Sequence, residues 1–490
     1  MRTLKVGFFA CLITLSGFSC KEVRDPSRAK PNILLICVDD LRPELGCYGK
    51  EYIHSPHIDK LANRGFVFSN HFVQVPTCGA SRYAMLTGML PTTTDHLDNT
   101  ACRQFIAGRP ESKDPETFIH HLRRNGYRTV GIGKISHHVD GYCYDFDEEV
   151  STEPELPFSW DEMLFNPGKW GRAPFAMLGY ADGTNREGRK KQVKPYEMGV
   201  VDDMGYPDGH TTELALEKLH ELAKRDTPFL LAVGYLKPHL PFNSPKKYWD
   251  LYEEAGIPLS PSPFIPENVN PASLISSGEF NQYALGEEKA SLDGPVSEDY
   301  ARKIRHAYFA CISYIDAQIG QLLNDLERQG LAENTVVVLW GDHGWHLGDH
   351  LVWGKHTIFE RSLRSPLIIF LPGEEKGAVI DRIVSSVDIY PTIVELAGLS
   401  MPVETDGNSL VPLLHNPMLR WTNRSYGFFE GGITLRTERY RLTRYYRNEE
   451  PTVELYDHLI DPVENFNAAL YYPVVVDSLM PFLIAKNIFQ

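Results

Sequence analysis

Five short, uninterrupted apolar runs constrain this chain more than any other feature: "NILLICV" at 32–38, "TVGIG" at 129–133, "PFLLAVGY" at 228–235, "TVVVLW" at 335–340 and "PLIIFL" at 366–371. A strand with one wet face alternates apolar and polar residues. A run that is apolar at every position needs cover on both faces, as the strands of a parallel sheet have. Between the runs lie segments with apolar residues at helical spacing. "HIDKLANRG" and "ETFIHHLRRNG" each end on a glycine stop; "TTELALEKLHELAK" and the long "EDYARKIRHAYFACISYIDAQIGQLLNDLERQG" follow. Strands alternating with helices predict an α/β fold, a large doubly wound mixed sheet flanked by helices. A chain of 490 residues exceeds what one core normally supports, so a smaller unit is expected beside the large one. The texture changes after about residue 410, where "SYGFFEGGITLRTERYRLTRYY" reads as short strands and turns ahead of a terminal helix. Residues 30–410 are therefore assigned to the main domain and 411–490 to a C-terminal α+β subdomain on an antiparallel sheet. Stretches 141–209 and 250–295, rich in Pro, Gly, Asp and Tyr, read as surface insertions of the kind that build a binding rim.

The amino terminus bears on compartment. Arg2 and Lys5 precede a short apolar stretch ending in small residues, so residues 1–20 read as a signal peptide. Cys20, after Gly17-Phe18-Ser19, loosely resembles a lipidated lipobox cysteine, with simple secretion as the alternative. The expected location is the bacterial periplasm or cell surface, with the membrane reached only through that anchor. "PVVVDSLMPFLIAK" is too short to span a bilayer and is interrupted by Asp477 and Pro481. A formal charge of −15 argues against a nucleic-acid surface, and an anionic substrate would have to be held by local cations or a metal. The mature cysteines form no dense disulfide framework. Cys37 and Cys311 lie in apolar patterns and read as buried thiols, while Cys102 with Cys143 is a candidate bridge.

Polar residues gather where strands end. "NILLICV" runs into Asp39-Asp40, and "TVVVLW" into Gly341-Asp342-His343. Ligands of an open α/β sheet bind outside the carboxyl ends of its strands, so the two groups could meet. Converging carboxylates need a cation, and oxygen-rich ligation suits Ca²⁺ or Mg²⁺ better than zinc. The bland alternative makes Asp39 and Asp40 turn residues that cap the next element. Lys134 follows "GIG", with His137 and His138 behind it; Lys237 and His239 follow another strand, with Pro238 and Pro241 expected to keep the backbone extended. Lys355 and His356 lie in the loop before "PLIIFL". Singly, each is a solvated lysine or a satisfied structural histidine; together they could bind an anion beside a metal.

The remaining feature is "VPTCGASRYAMLTG" at 75–88. Gly79, Ala80 and Ser81 allow close backbone approach, and Arg82 is expected to open a helix whose start favours an anion near Cys78. The pattern Cys-x-Ala-Ser-Arg followed by Thr87-Gly88 resembles that of the type I sulfatases of the alkaline phosphatase superfamily. "CVDDLRPELGCYG", Lys134 with His137, "VGYLKPHLPF", "WGDHGWHLGDH" with "WGKHTIFE", and "DGNSLVPLL" most resemble the iduronate-2-sulfatase branch. Ala80 stands where the commoner motif has proline. The resemblance runs from about residue 30 to "LYDHLIDPVEN".

That resemblance implies a particular chemistry. Cys78 would be oxidised to formylglycine by a formylglycine-generating or sulfatase-maturing enzyme. Asp39, Asp40, Asp342 and His343 would bind Ca²⁺ together with an oxygen of modified Cys78. One hydroxyl of the hydrated aldehyde would attack sulfur, and loss of the second hydroxyl's proton to His137 would expel sulfate. Lys134, Lys355 and His239 would hold the sulfate, His239 and Lys355 would meet charge on the leaving oxygen, and Arg82 would orient the modified residue. The expected activity is exo-type hydrolysis of sulfate esters on a sulfated oligosaccharide, from glycosaminoglycans or from algal polymers such as ulvan or carrageenan. Two competing readings are a phosphonate monoester or phosphodiester hydrolase of the same superfamily, and a glycan-binding lipoprotein with unmodified Cys78. His356 could contact the substrate, which its sequence context does not decide, and Arg361 and Arg364 are open between rim contacts and surface charges.

Overall fold

A computed structural model describes residues 30–106, 116–144, 148, 151–275, 277–285, 287–374, 376–421, 423–448 and 450–489. The signal-peptide and Cys20 readings lie outside the described residues. Pro31–Gln490 forms one compact unit.

The apolar runs become the centre of an eight-stranded mixed sheet. Its strands are β1 (Asn32–Val38), β2 (Phe66–Phe72), β3 (Arg128–Gly133), β4 (Glu162–Leu164), β5 (Phe229–Tyr235), β6 (Thr335–Gly341), β7 (Leu367–Phe370) and β8 (Ala378–Ser385). Their spatial order is β8-β2-β7-β6-β1-β5-β3-β4. β6, β1, β5 and β3 are parallel neighbours, with Cys37 level with Gly234 on one side and Trp340 on the other. β7 is antiparallel to both β6 and β2. A continuous apolar run reports cover on both faces and not strand direction, so "PLIIFL" carried no sign of this reversal.

Alternate residues of β1 feed two different cores, which accounts for its unbroken apolarity. Leu34, Ile36 and Val38 pack with helices α1 (Pro56–Arg64), α4 (Pro207–Leu222) and α5 (Glu298–Arg328). Ile33, Leu35 and Cys37 pack on the opposite face with α2 (Cys78–Thr87), α3 (Phe118–Arg124) and α6 (Ile389–Leu396). The sheet is thus wound on both sides. β2, β4 and β8 were missed by sequence, β4 being only Glu162–Leu164. "FVFSNHF" breaks its apolar run with Ser69 and Asn70, and β8 alternates buried and exposed residues over part of its length.

The C-terminal region forms an antiparallel sheet of β9 (Ser425–Phe429), β10 (Gly432–Arg436), β11 (Tyr440–Tyr445) and β12 (Thr452–Asp457), with α7 (Pro473–Ile484) against it. Phe428, Ile433, Leu435, Leu442 and Leu455 share a core with Ala84 of α2 and with Val387. The sheet therefore rests on the helix that begins at Cys78. Among the described residues, no helix is long and apolar enough to cross a membrane. Cys102 and Cys143, the candidate bridge, are both free buried thiols; Cys102 Sγ instead points to the Gly79 carbonyl at 3.9 Å.

Candidate active site at the strand ends

Four adjacent parallel strands deliver polar residues to one place. β1 ends at Asp39-Asp40, β6 at Asp342-His343, β3 at Lys134, and β5 at the loop holding His239. β2 leads through Val73–Thr77 to Cys78, which is the first residue of α2. The helix therefore starts four residues earlier than Arg82, where the sequence had placed it. Thr77 is extended, and Ser81 N–H donates to the Thr77 carbonyl at 2.8 Å, closing the first turn. Gly79 is needed there because a Cβ would fall 2.1 Å from the Asn99 carbonyl oxygen. Its N–H donates to Asn99 Oδ1 at 2.9 Å.

Cys78 sits within a cage of charge. Its Sγ is 3.3 Å from His343 Nε2, 3.3 Å from Lys355 Nζ and 4.0 Å from Asp40 Oδ1. Burial, then the Asp39 charge, pushes the thiol up to about 12, although Lys134 and Lys355 pull it down. The unmodified sulfur is a poor nucleophile at neutral pH.

Arg82 ties the strand ends together. Its Nη2 donates to Asp39 Oδ1 (3.1 Å) and Asp342 Oδ2 (2.9 Å), and Nε to Asp342 Oδ2 (3.0 Å). Lys134 Nζ donates to Asp39 Oδ2 at 2.6 Å, and Lys355 Nζ to Asp40 Oδ1 at 3.0 Å. Asp342 Oδ1 accepts the Asp40 N–H at 2.9 Å. All these side chains are buried.

The residues fit a divalent cation. Donor atoms of Asp39, Asp40, Cys78 and His343 lie within 4.8 Å of one another, and Asp40 Oδ2 is buried without a hydrogen-bond partner. Burial lifts Asp40 well above the ordinary carboxylate range; Lys355 and His343 oppose it, and the Asp39 charge adds to it. Burial also raises Asp342, with the Asp39 charge adding. Asp39 alone is held well below that range: burial opposes its ionisation, but Lys134, His239 and Arg82 prevail. Two of the three carboxylates thus lack enough positive charge to ionise comfortably, and a cation among them would supply it. Asp342 stands beside this set and not within it: its oxygens accept from the Asp40 N–H and from Arg82, and its Oδ1 lies 3.7 Å from His343 Nε2.

The histidines divide by partner. His137 Nδ1 is buried without a partner, and burial followed by the Lys134 charge depresses its pKa well below the usual value. His138 is engaged with Glu155 at 2.9 Å, which leaves His137 as the free ring of the pair. His239 Nδ1 donates to the Leu240 carbonyl at 2.6 Å, turning Nε2 toward Asp40 Oδ2 at 4.0 Å. Burial and the Lys355 charge lower His239 to about 4. Backbone expected to be extended over 237–241 instead turns, with cis Lys237–Pro238 and Leu240–Pro241 bonds. Lys237 does not join the site: its Nζ donates to the carbonyls of His239 (3.0 Å) and Pro241 (2.7 Å), bracing that turn. Arg361 and Arg364 are likewise structural, on Asp349 at 3.2 Å and the Ser69 carbonyl at 2.8 Å.

Sequence reasoning missed Glu279, from the 250–295 insertion. Its Oε1 is 3.3 Å from His239 Nε2, and its Oε2 3.6 Å from Lys355 Nζ. An isolated glutamate in a loop carries no periodic or motif signal. Beside the cage, a cleft opens to solvent between Thr77, Asn99, Ile275, His356, Phe429 and Phe489. His356 stacks on Phe429 with ring centroids 5.3 Å apart and planes 7° apart, so this histidine lines the cleft.

Residues 31–399 match the model of the sulfatase family, and residues 348–479 match that of the N-sulphoglucosamine sulphohydrolase C-terminal region. The chain is similar to mouse (Mus musculus) iduronate 2-sulfatase, with 33% identity over 401 residues, covering 76% of this chain and 69% of the relative. In fold it is similar to a protein solved in complex with its substrate D-glucosamine-2-N,6-O-disulfate (TM-score 0.69, 22% identity, 93% of this chain and 97% of that one). It is also similar to the phosphonate monoester hydrolase of Agrobacterium radiobacter (TM-score 0.74, 22% identity, 93% and 95%).

Proposed function

The chain belongs to the sulfatase family, close to the iduronate-2-sulfatase branch, and from that premise we propose that it removes sulfate from a sulfated saccharide at the Cys78 cage. The observation that carries the reading is one sulfur held 3.3 Å from both His343 Nε2 and Lys355 Nζ, beside a carboxylate oxygen with no partner. A thiol kept protonated by burial is not itself the nucleophile, which favours its conversion to formylglycine by a maturation enzyme. Formylglycine supplies a hydrated aldehyde, with one hydroxyl to attack sulfur and a second whose deprotonation releases sulfate. Asp39, Asp40 and His343, with Asp342 beside them, would hold Ca²⁺, which would supply Lewis-acid polarisation of the ester.

The chain's own residues do the rest. Arg82 fixes the start of α2 against both Asp39 and Asp342, so the modified residue cannot swing away from the strand ends. Lys134 and Lys355 are preorganised cations, each already positioned by an aspartate, and they draw the sulfate oxygens in. His239 and Lys355 face the leaving oxygen, where negative charge grows. His137, unprotonated and with a free Nδ1, accepts the proton that ends the cycle. The sugar lies in the cleft beyond Thr77, against the His356–Phe429 stack, whose flat apolar face suits the C–H face of a pyranose ring. Both the disulfated glucosamine of one structural relative and the iduronate of the curated relative agree with a saccharide. The leader at 1–20 favours an exported or lipid-anchored enzyme acting on polysaccharide outside the cytoplasm.

The test is mass spectrometry of tryptic peptide Gly65–Arg82 from protein made with a maturation enzyme, joined to sulfate release from a panel of sulfated oligosaccharides. The expected result is the aldehyde at Cys78 and turnover in proportion to it. Full turnover from protein carrying only the thiol would defeat the chemistry.

A further inference from the structure

Glu279 places a carboxylate in the anion pocket, a position that calls for a reason because the substrate is itself an anion. Neither of its neighbours needs it for support. Lys355 already has Asp40 at 3.0 Å, and the His239 ring is already fixed through Nδ1 on the Leu240 carbonyl at 2.6 Å. Glu279 Oε2 is buried with no hydrogen-bond donor, although a structural carboxylate is normally satisfied there. The group is nevertheless charged: burial opposes ionisation, but Lys355, His239 and His356 hold its pKa well below the usual value. It lies in the narrow space between Ser277, Trp353, Lys355 and His356, and His356 also lines the substrate cleft.

The effect of this carboxylate is on net charge. Asp39, Asp40, Asp342 and Glu279 oppose Arg82, Lys134 and Lys355 in direct ion pairs, four acids against three bases. With a divalent cation the pocket carries one positive charge, which matches a singly charged ester. Without Glu279 it would carry two, which matches a dianion. Sulfate monoesters and phosphonate monoesters are monoanions. Phosphate monoesters have nearly the same tetrahedral shape but are dianions above a second pKa of about 6. Shape alone cannot separate these groups; charge can.

We infer that Glu279 sets the charge selectivity of the pocket, admitting singly charged esters and disfavouring dianionic phosphate monoesters. This inference rests on the sulfate-ester reading above and deepens it. The test compares kcat/KM at pH 8 for 4-nitrophenyl sulfate, 4-nitrophenyl phosphate and 4-nitrophenyl phenylphosphonate, using full-length enzyme carrying modified Cys78. Glu279→Gln should raise the phosphate-to-sulfate ratio about tenfold, the scale of one added charge contact at a partly shielded distance. The phosphonate-to-sulfate ratio should change by less than about twofold, because both substrates are monoanions. Glu279→Asp should keep the wild-type ratios, and Glu279→Ser, a second neutral variant, should shift in the same direction as Gln. Ratios that move together, or that do not move in either neutral variant, would overturn the inference. Wild-type enzyme with modified Cys78 that leaves 4-nitrophenyl sulfate intact would instead defeat the reading beneath it.

Discussion

Among the described residues, two clusters of acids, bases and histidine bring ligand-type atoms close together. One surrounds Cys78. The other holds the C-terminal sheet to the main domain: Glu360 Oε2 accepts from Arg436 Nε (3.1 Å) and Arg441 Nη2 (2.7 Å), while Glu464 Oε1 accepts from Arg441 Nε (2.5 Å) and lies 3.0 Å from His458 Nε2. Glu464 Oε2 also takes the Glu360 N–H at 2.7 Å. Two acids meet two arginines, and none of the five side chains leaves a buried polar atom unpartnered. At Cys78 the acids outnumber the bases, and Asp40 Oδ2 and Glu279 Oε2 are left without donors. Composition and proximity are therefore poor guides to a metal site. Unfilled valence separates a cluster that binds something from a cluster that only holds the fold.

Breaking the open cluster should cost activity before stability. Cys78→Ala should lower turnover by more than about 10⁴-fold, the scale of losing a nucleophile, while the thermal midpoint moves little. Sulfate release at the wild-type rate by that variant would remove Cys78 from the reaction. Asp40→Asn should weaken Ca²⁺ binding by about 10²–10³-fold in calorimetry, and treating wild type with a chelator should reproduce the loss of activity. If Arg441→Lys or Glu464→Gln weakened Ca²⁺ to the same extent, the contrast between the clusters would fail.

Breaking the closed cluster should do the reverse. Glu464→Gln leaves Arg441 partly unpaired in a buried setting and should cost about 3 kcal/mol in urea denaturation, with turnover per folded molecule retained. The pH dependence follows from the same group. Burial opposes its ionisation, but Arg441 and His458 lower Glu464 to about 2 from the ordinary value of 4.5. A depressed carboxylate contributes stability above its unfolded pKa and loses it as pH falls through the folded one. Wild-type stability should therefore decline between about pH 5 and 2, and more steeply than in Glu464→Gln. Equal slopes would mean that the pair is not ionised in the fold. The smallest effect is expected at the rim, where Phe429→Ala should raise KM for a sulfated oligosaccharide about three- to tenfold and leave an aryl sulfate nearly unchanged.

Much of this was legible in the linear chain. The five apolar runs marked five of the eight strands, and the acids after β1 and β6 were readable as neighbours because ligands collect at strand ends. The terminal sheet and helix were visible as a change of texture. β2, β4 and β8 were not, because polar interruptions, short length and half-exposure erase the pattern that burial writes. The reversal of β7 was also hidden, since a residue covered on both sides looks the same whichever way its strand runs.

Residue type and local period settled which segments are buried, which strand ends carry charge, and which cysteine lies in a sulfatase motif, because those properties are decided within a few neighbours along the chain. Tertiary structure alone decided which lysine joins the site and which braces a turn, that Glu279 enters the pocket, and which of two similar clusters stays open. Those outcomes depend on pairs such as Cys78 and Lys355, 277 positions apart, whose meeting is set by how sheets and loops pack and not by anything written near either residue.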